Sequence, residues 1–290
     1  MLVAVLSDKP ELREQFCKMV GKETGRDELA FYSAEGGKTF VDPAHYPEKI
    51  QPLLYTLSLA DCAVLTVDAL SPKVGELIVA LNSVGIERGV LVSSIPLPVA
   101  GTVLDKYEKA ADMNAAREKV LALQETGGGE RAVALVHKAE AVKSVGNVAH
   151  GVVKSGKMAK ERVFVLPEKK EIEIRDLKVN EQDVAEASAG TSFSATFRGD
   201  LFERGLLVPM RNEFQIENVV NGKFNKSPFF KDELKGRIHA YTNMQFVEGH
   251  LTDNDLTLLK PLAFEKGEQI VIVDASNQKL RIAGVFQSKW

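Results

Sequence analysis

Cysteine is almost missing from this 290-residue chain, with Cys17 and Cys62 the only two. A disulfide framework or a thiolate zinc site needs more, so both are expected as buried free thiols of a cytoplasmic protein. Histidine is scarce and scattered over five positions (His45, His137, His150, His239, His250). No zinc-ligand spacing results, and no metal is expected. A G-x-S-x-G elbow for a serine nucleophile is absent. Long apolar runs are absent too: residues 62–67 and 89–92 are far too short to span a bilayer. Residues 1–6 lack the basic residues and cleavage site of a secretory leader and read as a buried first strand, so no membrane association is expected. Nor is there a strong excess of one charge. The net is −3, but residues 1–130 carry 13 basic and 19 acidic side chains, against 24 and 21 in residues 131–290. The acidic first part is a poor nucleic-acid surface, and DNA is not expected as a partner.

What is present is a change of periodicity part-way along. A chain of 290 residues exceeds what one core usually supports, so two or three domains are expected. In the first part, apolar strands at 2–6, 40–41, 62–67 and 89–93 alternate with helical patterns at 11–20, 47–59, 74–84 and 110–124. Such βα alternation builds a parallel, doubly wound sheet. Gly127-Gly128-Gly129 then reads as a linker. Beyond it the residues alternate apolar and polar in short runs with turn signals between them, the pattern of small closed β-barrels. The expected organisation is an α/β domain over 1–127, a barrel over 131–209 and a second barrel over 210–290.

The glycines of the first barrel carry the most information. The segment reads Gly146-x-x-x-x-Gly151-Val152-Val153-x-Ser155-Gly156-Lys157, then Leu166-Pro167, then Glu173-Ile174-Arg175-Asp176-Leu177. Ala187-x-Ala189-Gly190, Phe197-Arg198-Gly199 and Glu203-Arg204-Gly205-Leu206-Leu207 follow. In this order the pattern resembles the second domain of the translation GTPases of the elongation factor Tu and SelB group, with its G-x-G-x-V-x-x-G-x-V, A-x-A-G, L-x-G and final R-G. Ser227-Pro228-Phe229-Phe230 and the closing strand Leu280–Phe286 resemble the third domain of the same family. In overall plan the chain is similar to archaeal SelB-like paralogues of elongation factor Tu. The resemblance implies a Ras-like α/β domain of the P-loop NTPase type followed by two β-barrels.

The α/β domain, however, departs from the family where GTP chemistry resides. A G-x-x-x-x-G-K-[ST] loop cradles phosphates with backbone N–H groups, a lysine and a metal-binding hydroxyl. Here the first strand runs into Ser7-Asp8-Lys9-Pro10-Glu11-Leu12-Arg13-Glu14. Ser7 and Leu12 fill the glycine positions, Arg13 stands in the lysine position and Glu14 in that of the hydroxyl, while Pro10 removes a donor. Asp8, Glu11 and Glu14 are expected to face any triphosphate. Two like charges 4 Å apart repel by roughly 4 kcal/mol at an effective dielectric of about 20. That is a large part of the roughly 8 kcal/mol of micromolar binding.

The D-x-P-G-H element corresponds to Asp42-Pro43-Ala44-His45, with Asp42 kept and the glycine gone. His45 reads as a surface residue at a helix start. At the guanine-reading N-K-x-D element the chain has Ser93-Ser94-Ile95-Pro96, with no carboxylate to hold the base. The switch I region falls in residues 21–38, read as a loop, with only Thr24 and Thr39 to offer a hydroxyl. Asp68, in the family's V-D-A turn, is expected to cap the next helix.

The expectation is therefore a pseudo-GTPase with no cofactor, no catalytic residue and a vestigial nucleotide site at Ser7, Leu12, Arg13, Glu14, Asp42, Ser93, Ser94 and Pro96. By resemblance, its partners are aminoacyl-tRNA, the ribosome or another translation factor. Lys231, Lys235, Arg237, Lys279 and Arg281 form the expected RNA-facing group. A functional GTP-hydrolysing elongation factor and a structural docking subunit of a translation-related complex are the alternatives.

Overall fold

The computed structural model describes residues 1–97, 99–124, 129–210, 212–234, 236–252 and 254–289. The N-terminal layer contains β1 (Leu2–Leu6), α1 (Pro10–Val20), β2 (Lys22–Arg26), β3 (Ala30–Ser33), β4 (Thr39–Asp42), α2 (Gln51–Leu59) and β5 (Cys62–Val67). It continues through α3 (Pro72–Val84), β6 (Gly89–Ser93), a 3-10 turn at Val103–Lys106, β7 (Glu108–Ala110) and α4 (Met113–Ala122). The strands form one seven-stranded sheet in the order β2-β3-β4-β1-β5-β6-β7. From β4 to β7 the neighbours are parallel, whereas β2-β3 and β3-β4 are antiparallel.

Alternation along the strands sends Val3, Val5, Cys62, Val64, Val90 and Val92 to one face, where they meet Phe16, Cys17 and Val20 of α1 and Ala116 and Val120 of α4. The helix α2 packs on α3 and β1. Both cysteines are buried free thiols, and burial pushes that of Cys62 up to about 12. Among the described residues no helix is long and apolar enough to cross a membrane.

Four local expectations are corrected. Residues 21–38 are not a loop: β2 and β3 form a hairpin that extends the sheet, and Lys22 to Arg26 are all exposed, so no apolar period marks them. Helix α2 begins at Gln51, so the exposed His45 does not start it. Asp68 does not cap α3; the Ser71 side chain does, accepting from the Val74 amide at 3.0 Å. Helix α4 starts only at Met113, where Asp112 caps the Ala115 amide. Gly127 and Gly128 of the expected linker lie outside the described residues.

The next strands are β8 (Val133–Val142), β9 (Gly146–Ser155), β10 (Lys157–Ala159), β11 (Arg162–Leu166), β12 (Lys170–Val179), β13 (Gln182–Asp183), β14 (Glu186–Ser188), β15 (Ser192–Arg198) and β16 (Gly205–Pro209). Seven of them run in the order β11-β16-β8-β9-β15-β12-β13, and a β11–β12 pairing closes six into a barrel. Its core holds Val136, Val153, Val163, Ile172, Phe193 and Phe197. Two of the glycines noted above are required by close approach. A Cβ on Gly151 would lie 2.5 Å from the Leu135 carbonyl, and Gly156 has φ +61 with the backbone of residues 130–132 against it.

The last strands, β17 (Gln215–Lys226), β18 (Ile238–Thr242), β19 (Gln245–Leu251), β20 (Asp255–Phe264), β21 (Gln269–Val273) and β22 (Ile282–Ser288), form a closed barrel in the order β17-β20-β19-β18-β21-β22. An α/β domain followed by two barrels is thus the architecture. By compactness the chain divides into two units, one of Met1–Gln124, Phe224–His239 and Gln269–Phe286, the other of Glu125–Lys223, Ala240–Glu268 and Gln287–Trp290.

Candidate functional site

Nucleotide sites of doubly wound sheets lie at the carboxyl ends of the strands, and β1 leads there directly. Only Ser7, Asp8 and Lys9 connect β1 to α1. Their side chains bond largely within the protein, although the buried Asp8 Oδ1 has no hydrogen-bond partner. The buried Ser7 accepts from the Lys9 amide through Oγ, Asp8 Oδ2 accepts from Ser71 Oγ at 2.6 Å, and Lys9 Nζ donates to Asp68 at 2.6 Å. Pro10 opens the helix, where its missing N–H costs little. The amide of Leu12, in the first helical turn, already donates to the Lys9 carbonyl. A phosphate-binding helix N-terminus needs such donors free.

Arg13 lies on the inward face of α1 with Phe16, Cys17 and Val20, and it is 1% exposed. Its Nε donates to Asp42 Oδ1 at 2.6 Å and Nη1 to the Ser7 carbonyl at 2.8 Å. Nη2 donates to the carbonyls of Tyr46 at 2.8 Å and Pro43 at 3.3 Å. The guanidinium thus joins the end of β1 to the turn after β4. Burial pushes the Asp42 carboxyl above its ordinary range, and the charge and hydrogen bond of Arg13 counteract this. Breaking such a buried pair by removing one partner costs about 3–5 kcal/mol.

Tyr46 is fully buried in the same turn, and its hydroxyl donates to the Lys73 carbonyl at 2.9 Å. The Arg13 guanidinium carbon is 5.9 Å from its ring centroid, and that of Arg281 is 5.8 Å away. Both are within cation–π range. Arg281 precedes β22 and belongs to the same compact unit as the α/β layer. It donates to Glu76 Oε2 at 2.9 Å through Nε and to Oε1 at 2.5 Å through Nη2. Its backbone amide reaches Glu76 Oε2 at 2.8 Å, and Nη1 reaches the Glu48 carbonyl at 3.1 Å. Burial alone would raise the Glu76 carboxyl, but the side-chain and backbone donors of Arg281 more than offset this and hold it below its ordinary range.

No protein-family model matches the chain. An uncharacterised protein of Methanocaldococcus jannaschii is 26% identical over 294 residues, covering 92% of this chain and 94% of its own. Among solved structures, the translation elongation factor SelB of Methanococcus maripaludis is similar with its GTP analogue GppNHp bound (TM-score 0.79, 15% identity) and in its apo form (0.78, 14%). Each match covers all of this chain and 79% of that one. A bacterial selenocysteine-specific elongation factor matches with TM-score 0.69 at 17% identity, over 98% of this chain and 58% of its own. The chain has the SelB fold.

Within that fold the residues singled out in the sequence do not all converge. Ser7, Arg13 and Asp42 meet directly, and the exposed Ser94 reaches the same strand ends, its Oγ 3.4 Å from the Asp68 carbonyl. Ser93 Oγ turns back on Ile95, donating to its carbonyl at 2.7 Å, and Pro96 is exposed. Leu12 is half-buried. Glu14 does not face the site as expected: one position past Arg13 the helix turns it outward, where it pairs with Lys18 at 2.8 Å.

Arg281 is also corrected. At 6% exposure and committed to Glu76, it does not present its charge to a phosphate backbone. Lys231, Arg237 and Lys279 are exposed, and Lys235 lies outside the described residues. The sequence reading missed Glu76 and Tyr46. Glu76 carried a signal, as a lone carboxylate among Val74, Leu77, Ile78, Val79, Ala80 and Leu81 of α3.

Proposed function

We propose that this chain is a translation-factor-like binding protein that works without GTP, engaging an aminoacyl-tRNA or another translational partner through its two barrels. The observation that supports it best is Arg13. In the position of the phosphate-binding lysine stands a buried arginine whose donors go to Asp42, Ser7, Pro43 and Tyr46. A triphosphate would have to displace that pair and overcome Asp8 beside it. On this reading the chain carries a pseudo-GTPase domain over 1–127 and barrels over 131–209 and 210–290, and it is not an enzyme.

Titration calorimetry with GTP and GDP in the presence of Mg²⁺ tests the nucleotide part. No binding is expected up to about 1 mM, the level of roughly 4 kcal/mol. A dissociation constant in the low micromolar range or tighter overturns it. For the partner, filter binding of charged and uncharged tRNA over a salt series is decisive. Replacing Lys235 and Arg237 together by Ala is expected to weaken binding across tRNA species and reduce the salt slope by about one to two. Absence of any tRNA binding by the intact chain moves the reading to a protein docking partner.

A further inference from the structure

Two guanidinium groups from opposite ends of the chain lie over the ring of Tyr46. One is Arg13, tied to Asp42, and the other is Arg281, tied to Glu76. All five side chains are buried. The row Asp42–Arg13–Tyr46–Arg281–Glu76 alternates acid, base, ring, base and acid, so each cation is neutralised by its own carboxylate and both face the negative surface of one aromatic ring.

Three segments meet on it. These are the turn of residues 43–48, the N-terminal half of α3 through Glu76 and the Lys73 carbonyl, and the residues between β21 and β22 that end at Arg281. Lys73 adds a second tie, its Nζ 3.4 Å from the Gln278 carbonyl. No group in this row requires a ligand to complete its bonds.

We propose that this row is a ligand-free latch, in which Tyr46 couples the Arg13–Asp42 pair to the Arg281–Glu76 pair and fixes the β21–β22 turn on the α/β domain whatever nucleotide is present. The inference rests on the nucleotide-independent reading above and deepens it. A contact that a ligand drives must have different free energies in two ligation states. Here the chain itself supplies the charges that a bound ligand would otherwise bring, so the docked turn has one state. Arg13, Tyr46 and Glu76 act as positioning residues.

The Arg281 amide is a built-in reporter, because its hydrogen bond to Glu76 exists only while the turn is docked. Hydrogen exchange of the full chain, read at single-amide resolution, tests the latch. Protection of the Arg281 amide is expected to be the same with GTP, GDP, GppNHp or no nucleotide. Arg13→Met and Tyr46→Leu, neither of which removes a hydrogen bond of Arg281, are expected to speed its exchange at least tenfold. Amides of β19 and β20 should be unaffected. Tyr46→Phe, which keeps the ring and loses the hydroxyl with its bond to Lys73 and its interaction with the Glu76 carboxylate, should retain most of the protection.

Unchanged exchange at Arg281 in both Arg13→Met and Tyr46→Leu overturns the coupling. If Arg13→Met unfolds the α/β layer, seen as lost protection throughout β1 and β5, the milder Tyr46→Leu decides alone. A nucleotide that changes Arg281 exchange refutes the latch. A nucleotide that binds by calorimetry and leaves this exchange unchanged refutes the nucleotide-free reading and leaves the latch standing.

Discussion

Arg13→Met is the perturbation that separates a structural arginine from an incidental one. Methionine fills much of the stem volume, so the loss is one of charge and donors rather than of packing. Asp42, 3% exposed, would keep a carboxylate with no cation, and the carbonyls of Ser7, Pro43 and Tyr46 would lose their guanidinium donor. Breaking a buried pair from one side costs about 3–5 kcal/mol. Against a typical domain stability of about 5–15 kcal/mol that is a severe loss. Arg13→Lys keeps the charge, but one ammonium cannot serve acceptors arranged around a planar fork. With one or two orphaned carbonyls it is expected to cost about 2 kcal/mol.

Urea denaturation followed by circular dichroism gives these differences. A double-mutant cycle completes the test: adding Asp42→Asn to Arg13→Met removes the stranded charge and should recover more than about 1 kcal/mol, the sign of direct coupling. A change within about 0.5 kcal/mol for Arg13→Met, the range of ordinary surface substitutions, refutes the assignment.

Two further outcomes are expected. Glu268 is half-buried and accepts from Thr242, from Asn243 at 2.7 Å and from the Glu265 amide, and burial pushes its carboxyl up to about 7. A folded value above the unfolded one means that its contribution is full below about pH 4.3 and is lost as pH rises through 7. With allowance for its partial exposure, the loss is on the order of 1–2 kcal/mol. Glu268→Gln should flatten the pH dependence of stability between pH 5 and 8, and an unaltered slope in the variant would contradict it. Ser71→Ala removes the cap of α3 and the partner of Asp8 together. It is expected to cost about 1–2 kcal/mol by denaturant titration, while Ser71→Thr, which keeps a hydroxyl, should cost less than half of that.

How far the sequence reached depended on what each residue's neighbours revealed. The buried strand Cys62–Val67 was legible as an apolar run broken only by Thr66 and lies where expected. Helix α3 was legible in its extent but not in its cap, because Asp68 and Ser71 both precede it and only the backbone turn selects between them. The edge strand β2 was not legible at all, since a strand exposed at every residue has no period to read. Likewise β17 runs twelve residues with mostly exposed side chains. Arg281 was misread for a related reason. A basic residue beside a surface turn looks like a contact for a polyanion until the carboxylate that takes it is known, and Glu76 lies 205 positions away.

The turn between β1 and α1 is the case where an absence in the sequence had a positive physical counterpart. Carbonyls at the ends of β1 and after β4 that turn inward must find donors, because a buried unpaired carbonyl costs about 1–3 kcal/mol. A phosphate-cradling loop leaves that region open to a ligand and water. This chain closes it with a three-residue turn, and Arg13 supplies in one rigid fork the donors that Ser7, Pro43 and Tyr46 require. Lysine in that place would have three donors on a single atom and could not reach all of them, so Arg13 is more than a positive charge. The same guanidinium then lies over Tyr46, whose ring also carries Arg281. Arg13 is therefore a bond between distant segments, and the stability and exchange of the Arg13 variants measure how strong that bond is.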